Sequence, residues 1–328
     1  FFRLLLLLKL FFTVPVNNIK TQSNALLMKN NYLFVIISGD TSPPFFCFLL
    51  YNYHMKNRGV IFGYIILILI AISMLYPFFA MLNLSFVQSD KIFSQAGNFI
   101  YTGFTLDNYK NVFNQIPLSR YFLNSLLVAG ITTVGQVLFA ALAGYAFARL
   151  NFKFRNALFL IILITMLIPP QVNIIPLFFL MREMHLIDTY QALILPGLFG
   201  GFGIFLMRQY FLGLPKELEE AAKIDGCNIF ETFFKVALPL AIPTVATLAL
   251  FTFVTTWNSF LWPLIVTNSE TMRTLPVGLA IFKGSFREIT LWGELLACSV
   301  ICTIPVIGVF LIGKKYFIND IMQGGVKE

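Results

Sequence analysis

Six long apolar runs limit what this chain can fold into. Every run is at least as long as the roughly twenty residues that a helix needs to cross the hydrocarbon core of a bilayer. They cover Val60–Leu82, Phe122–Ala148, Ala157–Met181, Gln191–Phe211, Leu240–Val266 and Leu295–Phe317. Only 12% of the residues are charged, against about 25% in a soluble domain. The runs therefore predict an all-α, polytopic membrane protein with six transmembrane helices.

The basic residues predict the orientation of these helices. Lys and Arg are more frequent in one alternating set of short loops than in the other, and the richer set belongs in the cytoplasm. The richer set comprises Lys56, Arg58, Arg149, Lys153, Arg155, Arg208, Lys216, Lys223, Lys235, Lys314, Lys315 and Lys327. We predict that both ends of the six-helix core are cytoplasmic. The net charge of +8 then reflects topology, and no nucleic-acid partner is expected.

The first 54 residues do not follow this pattern. Met55 opens a short basic head followed by the first long run, which is typical of a bacterial membrane protein. We predict that residues 1–54 are an extension outside the fold, that Met55 is the true start and that residues 55–328 form the transmembrane domain. The alternative is an additional span near Tyr32–Leu50, although Gly39 and a proline pair interrupt it.

Prolines and glycines interrupt the third and fourth runs. They are Pro169, Pro170, Pro176, Pro196, Gly197, Gly200, Gly201 and Gly203. Such breaks are tolerated at membrane depth where the freed backbone groups face protein or a watery cavity. For each glycine alone, helix packing is the alternative reading. Taken together, the breaks favour spans that line a pathway.

The middle of each apolar run lacks ionisable residues. Carriers coupled to protons or sodium usually keep ion sites near the membrane midplane, so an energy source outside the membrane is favoured. The phosphate-loop spacing from Gly308 to Lys314 is followed by Lys315, where Ser or Thr must reach Mg²⁺. The four cysteines lack metal-ligand spacing, and no G-x-S-x-G or H-E-x-x-H motif occurs. We therefore expect no bound cofactor, no metal site and no catalytic residue. A secondary carrier or channel for small polar solutes is the alternative class.

A polar insert at residues 215–239 separates the fourth and fifth runs. Pro215 and the carboxylates after it suit the positive end of a helix. Asp225-Gly226 is predicted to end that helix, since glycine readily takes a positive φ. An amphipathic turn follows, and Leu238-Pro239 ends it. Two helices around a glycine suit a groove on another protein, and an amphipathic hairpin lying on the membrane is the alternative.

This insert resembles the EAA loop of binding-protein-dependent ABC importer permeases. The likeness rests on Glu220-Ala221-Ala222, on Gly226 and on Val236-x-Leu238-Pro239, where Val236 replaces the usual Ile. Further segments are similar to the carbohydrate-uptake branch, specifically the smaller maltose-type or glycerol-3-phosphate-type subunit. They include Phe104–Tyr109, Gly144–Arg149, Trp257–Leu264 and Arg273–Leu279. The resemblance covers roughly Met55 to Glu328.

The resemblance implies a permease subunit of an ATP-driven importer of sugars or sugar derivatives in the bacterial inner membrane. Such a subunit pairs with a second, homologous permease. Two cytoplasmic ATPase subunits hold ATP and Mg²⁺ and dock on the EAA loops, and an extracytoplasmic solute-binding protein delivers the sugar. The residues that this implies for ATPase coupling are Glu220, Ala221, Ala222, Asp225, Gly226, Leu238 and Pro239.

Three residues of the fifth run are candidates for the substrate pathway. Trp257, Asn258 and Trp262 combine an amide with aromatic faces, which suits the polar edge and the apolar face of a sugar ring. Anchoring at the membrane interface is the alternative for the tryptophans. The loop at residues 268–293 is expected outside the cell, where it meets the binding protein.

Overall fold

The computed structural model contains two compact units, residues 1–66 and residues 67–328. It describes residues 27–29, 32–34, 58–92, 103–285 and 291–324. In the first unit, strand β1 (Leu27–Lys29) pairs antiparallel with strand β2 (Tyr32–Phe34). The predicted start at Met55 lies outside the described residues, as does most of the alternative span.

Apart from this hairpin and one isolated β-bridge, the described chain is helical. In chain order its α-helices are α1 (Arg58–Leu84), α2 (Asp107–Gln115), α3 (Leu118–Arg149), α4 (Arg155–Leu167), α5 (Ile174–Glu183), α6 (Tyr190–Ile194), α7 (Gly201–Gly213), α8 (Lys216–Ile224), α9 (Ile229–Thr232), α10 (Leu238–Leu240), α11 (Ile242–Trp257), α12 (Leu261–Val266), α13 (Leu275–Ser285) and α14 (Trp292–Gly324). Short 3-10 turns precede α5, follow α6 and precede α13, and a π-helical segment, Phe233–Ala237, joins α9 to α10.

Among the described residues, four helical segments are long and apolar enough to cross a membrane. They are Phe62–Leu84, Leu118–Arg149, Tyr190–Gly213 and Trp292–Lys315. Two bent helix pairs pass the same test: Arg155–Leu167 with Pro170–Glu183, and Ile229–Leu240 with Ile242–Trp257. The number reaches the predicted six if each bent pair is one span. The prediction of an all-α, polytopic membrane fold is confirmed.

Prolines account for the sharper bend, which measures 96° between α4 and the segment after it. A proline ring disfavours helical backbone at the residue before it. Ile168 and Pro169 each precede a proline, and both have extended backbone, with ψ of 119° and 130°. The second bend, of 77°, falls at Ala241 between two further prolines.

The main core lies where α3 and α7 pack together. Buried residues of both helices form one cluster with residues of α11 and of the segment that joins α9 to α11. Its members are Ala140, Ala141, Tyr145, Ala148, Met207, Phe211, Phe233, Ala237, Ala241 and Leu248. Gly144 allows the close approach: a Cβ there would lie 2.6 Å from the Met207 Cβ and 2.9 Å from the Arg208 backbone nitrogen. Both distances are shorter than real Cβ atoms show, so only glycine fits.

Asp188 ties together two loops near the start of α6 and the end of α12. Its Oδ1 accepts backbone N–H groups of Asn268 and Ser269 at 2.9 and 3.0 Å. Partial burial alone would raise the pKa of Asp188, but the hydrogen bonds from Ser269 and Asn268 hold the pKa below its ordinary value. The first residues of the loop predicted to meet a binding protein are therefore anchored to the helix bundle.

Gly144→Ala should destabilise the protein, because its methyl group would push α7 away from α3. Overpacking of this kind typically costs about 1–3 kcal/mol. Gly130→Ala is the matched control on the same helix, since nothing lies within 4 Å of its Cβ position and alanine is favoured over glycine in helices by about 0.5–1 kcal/mol. In detergent, the midpoint temperature of thermal unfolding should fall for Gly144→Ala and rise for Gly130→Ala. Equal shifts would contradict the close approach.

Candidate functional site

The polar insert forms two short helices joined by a glycine turn. Pro215 stands immediately before α8, and Glu217 and Glu219 lie in its first turn, where carboxylates favour the helix dipole. Gly226 follows the end of α8 with a φ of +84°, a left-handed conformation that costs most other residues energy. The chain therefore reverses at Gly226 without strain and enters the second half of the insert.

A capping box that the sequence analysis missed begins this second half. The Asn228 side chain accepts the Glu231 backbone N–H at 2.9 Å, and the Glu231 carboxylate accepts the Asn228 N–H at 2.9 Å. The spacing Asn-x-x-Glu before an apolar stretch is the signal that could have revealed it. The box fixes where α9 starts, so the turn has a defined boundary on each side.

The outer face of the insert carries the predicted coupling residues Glu220, Ala221, Asp225 and Gly226, all of which are exposed. Two large apolar side chains lie among them: Ile224 is 87% exposed and Phe230 is 70% exposed. Ala222 points the other way and is buried. The outer face therefore combines two exposed carboxylates, a small residue and apolar bulk, which suits burial against another protein.

The inner face of the insert is held by a buried ion pair. Glu219 Oε1 lies 2.8 Å from Arg149 Nε, and the two side chains are only 12% and 6% exposed. Arg149 also donates from Nη2 to the Leu214 carbonyl at 2.6 Å. The sequence analysis treated Arg149 as a topology signal and Glu219 as one of several helix-start carboxylates. Their pairing depends on how α3, α7 and α8 meet, and no local pattern reports that.

Phe233 anchors the other end of the insert. It is 2% exposed, and its ring centroid lies 5.2 Å from that of Tyr145 and 6.3 Å from that of Phe211. The predicted coupling residue Leu238 is partly buried against the same cluster, whereas Pro239 is exposed at the base of the insert. The insert is thus attached to α3 and α7 at both ends, and its middle is free.

The three predicted pathway residues have different surroundings. Trp257 is 2% exposed, and its indole N–H donates to the Cys302 carbonyl at 3.0 Å. The Trp262 indole donates to the Ala192 carbonyl at 3.0 Å. Asn258 is exposed, and its amide donates to the Val254 carbonyl at 2.8 Å. The structure gives both indoles backbone partners, and their place on a substrate pathway stays a prediction.

Metal ligation finds no support in the part of the chain that the structure describes. No group of three or more His, Cys, Asp or Glu residues there could hold a metal ion. Cys227, Cys298 and Cys302 are free thiols. We therefore place the candidate site at the insert and at its contacts with α3.

Fold and site together define a multi-pass membrane protein with a polar helical insert that projects from the helix bundle. Residues 136–321 match the family described as binding-protein-dependent transport system inner membrane component. The match covers more than half of the chain, and the chain belongs to this family. The resemblance predicted from the EAA spacing is confirmed.

Two named relatives cover most of this chain. It is 39% identical over 261 residues to an arabinooligosaccharides transport system permease protein of Halalkalibacterium halodurans, covering 79% of this chain and 93% of that protein. It is 29% identical over 275 residues to an sn-glycerol-3-phosphate transport system permease protein of Yersinia pestis bv. Antiqua, covering 82% and 98%. Both relatives are named as transport permease proteins, in agreement with the predicted class.

Solved structures share the fold. A chain of a bacterial ABC transporter involved in the import of the acidic polysaccharide alginate superposes with a TM-score of 0.71 at 26% identity, covering 81% of this chain and 99% of that chain. A chain from a bacterial alginate ABC transporter in complex with an alginate pentasaccharide-bound periplasmic protein has a TM-score of 0.58 at 13% identity, covering 79% and 94%. The second likeness concerns the fold alone.

Gly226→Val should loosen the turn of the insert. The Cβ position is open, so the cost is purely conformational, about 1–2 kcal/mol for a residue forced into left-handed backbone. Gly226→Asn is the matched variant, because asparagine tolerates this conformation better than other residues. Amide hydrogen exchange over residues 216–232 should speed up in the valine variant and change little in the asparagine variant. Identical exchange in both would contradict the role of the positive φ.

Proposed function

We propose that this chain is the membrane-spanning subunit of an ATP-driven ABC importer for sugars or sugar derivatives in the bacterial inner membrane. The observation that carries the proposal is the exposed outer face of the insert, with Glu220 and Ala221 beside the apolar side chain of Ile224. Family membership supports it, as do the relatives named for arabinooligosaccharides and for sn-glycerol-3-phosphate.

The proposed assembly contains a second, homologous permease that forms the other half of the translocation pathway. Two cytoplasmic ATPase subunits bind ATP and Mg²⁺, so this chain needs no cofactor of its own. An extracytoplasmic solute-binding protein delivers the sugar. The family description, binding-protein-dependent transport system inner membrane component, supports the last partner, and the lack of a usable phosphate loop in this sequence supports separate ATPases.

Orientation follows from the same proposal. The ends of the six-helix core and the insert lie in the cytoplasm, and the loops anchored by Asp188 lie outside. The excess of basic residues on the insert side supports this arrangement. The insert then faces the compartment that holds ATP, while the opposite loops face the incoming sugar.

Each coupling residue has a separate task in this proposal. Glu220 offers a charge to a basic or polar group in a groove of the ATPase, and Ala221 permits close approach of the two surfaces. Ile224 and Phe230 fill the groove with apolar bulk. Asp225 and Gly226 form the turn that keeps the groove-binding helix short.

Closure of the ATPase subunits on ATP moves the docked insert. Ala222 is buried on the inner side of the insert, and Leu238-Pro239 continues the insert into α11. The motion therefore reaches the membrane helices through the base of the insert as well as through its inner face. The helices then alternate between inward- and outward-facing arrangements of the pathway.

Asn258 is the proposed pathway residue best able to reach a sugar. It is exposed, whereas both indole N–H groups already donate to backbone carbonyls. The amide of Asn258 retains hydrogen-bonding capacity beyond its one bond to Val254, since a side-chain amide has two donors and an acceptor. Trp257 and Trp262 then contribute ring faces and support.

Glu220→Lys should abolish ATP hydrolysis stimulated by the sugar-loaded binding protein, because it reverses the charge at the docking face. Glu220→Gln, which keeps the shape and removes the charge, should retain part of the stimulation. Both variants should insert into the membrane like the wild type, since Glu220 is exposed. The measurement is ATPase activity of the complete complex in proteoliposomes, with arabinooligosaccharide and sn-glycerol-3-phosphate as test substrates.

Gly226→Pro should have the same effect as Glu220→Lys, because proline cannot adopt the positive φ of the turn. Normal sugar uptake in both variants would contradict the assignment of the insert as the coupling element. Uptake by the wild type without ATP would favour the alternative, a secondary carrier or channel.

A further inference from the structure

We infer that Arg149 and Glu219 are positioning residues that clamp the insert to α3 and α7, so that a push on its outer face moves both helices. The inference rests on the proposed function and adds a path for the force. It starts from the buried ion pair, Arg149 Nε to Glu219 Oε1 at 2.8 Å, and from the Arg149 bond to the Leu214 carbonyl.

The guanidinium joins three elements at one point. Arg149 is the last residue of α3, Leu214 directly follows α7, and Glu219 lies in the first turn of α8. Arginine is suited to this task because its guanidinium keeps a positive charge beside Glu219 while Nη2 donates to the Leu214 carbonyl in a fixed direction. A displacement of Glu219 is therefore transmitted to the ends of two membrane helices together.

The surroundings of the clamp are rigid. Tyr145 lies one helical turn before Arg149 and is 6% exposed, and its ring meets the Phe211 ring edge-on with centroids 5.4 Å apart. Gly144, beside it, brings α3 and α7 into backbone contact. The ion pair is thus attached to the most closely packed part of the bundle, where little motion is lost to deformation.

Helix geometry places the docking residue Glu220 and the clamp residue Glu219 on different faces of α8, although they are adjacent in sequence. Glu220 is exposed while the adjacent Glu219 is buried, because successive residues of a helix point about 100° apart. Without the pair, α8 would be joined to the bundle mainly through the flanking chain at Pro215 and Gly226. Force on the outer face would then rotate α8 instead of moving α3 and α7.

Stability alone does not account for such a pair. Replacing a buried ion pair by apolar residues of similar size is often neutral or stabilising. An exposed pair in the same insert provides a contrast: Lys235 Nζ lies 3.0 Å from Glu231 Oε1, with the side chains 64% and 40% exposed. Exposed pairs of this kind contribute little, so the exposed pair is a control for the position of an ion pair within the insert.

The test uses the complete complex in proteoliposomes, with permease variants that remove both charges of the clamp. Arg149→Met combined with Glu219→Met keeps the apolar volume and leaves no buried charge unpaired, so it should assemble with the ATPase subunits in wild-type amounts. We expect sugar transported per ATP hydrolysed to fall about tenfold, within the range of energetic coupling between distant sites. Glu219→Gln alone should also lower this ratio.

Lys235→Met is the control, since it breaks the exposed pair and leaves the Asn228–Glu231 capping box intact. Its ratio of sugar to ATP should equal that of the wild type. A wild-type ratio in the assembled double methionine variant would overturn the clamp, as would an equal loss in Lys235→Met. Failure of the double variant to assemble would also overturn it, because the pair would then serve stability. Lack of ATP-dependent uptake by the wild-type complex would instead refute the proposed function.

Discussion

The contact between α3 and α7 is the one on which the rest of this structure depends. Gly144 allows the two helices to approach until the backbone of one meets a Cβ position of the other. This contact places the end of α3 beside the end of α7, and the Arg149 side chain can then reach both Leu214 and Glu219. The position of the insert is therefore a consequence of how two membrane helices pack.

The two faces of the insert have opposite surroundings, protein on one side and solvent on the other. Its inner face buries Glu219 and Phe233 against side chains of α3 and α7, while its outer face leaves Ile224 and Phe230 uncovered. Uncovered apolar bulk of this size on a polar segment typically marks a site of interaction. The family match, residues 136–321, includes this segment.

Much of the fold could be predicted from the sequence, because the bilayer imposes a length on every span and prolines mark where spans bend. The apolar runs and the break at Pro169-Pro170 correspond to segments of the structure. The Arg149–Glu219 pair could not be predicted, since its partners are far apart in the chain and are charges of ordinary kinds. Trp257 shows the same limit, because its indole donates to the Cys302 carbonyl of α14, 45 residues away in the chain. That partner becomes visible only when α11 and α14 are packed.

The π-helical segment Phe233–Ala237 has a consequence for how the insert can vary. It lies between the turn at Gly226 and the base at Leu238, and it sets the angle at which Phe233 enters the cluster with Tyr145 and Phe211. Adding or removing one residue there would rotate Phe233 out of its place. The number of residues from Gly226 to Leu238 is therefore constrained by the packing of Phe233. Under the proposed function, outer-face side chains can be exchanged to suit a different ATPase, while the number of residues from Gly226 to Leu238 stays constant.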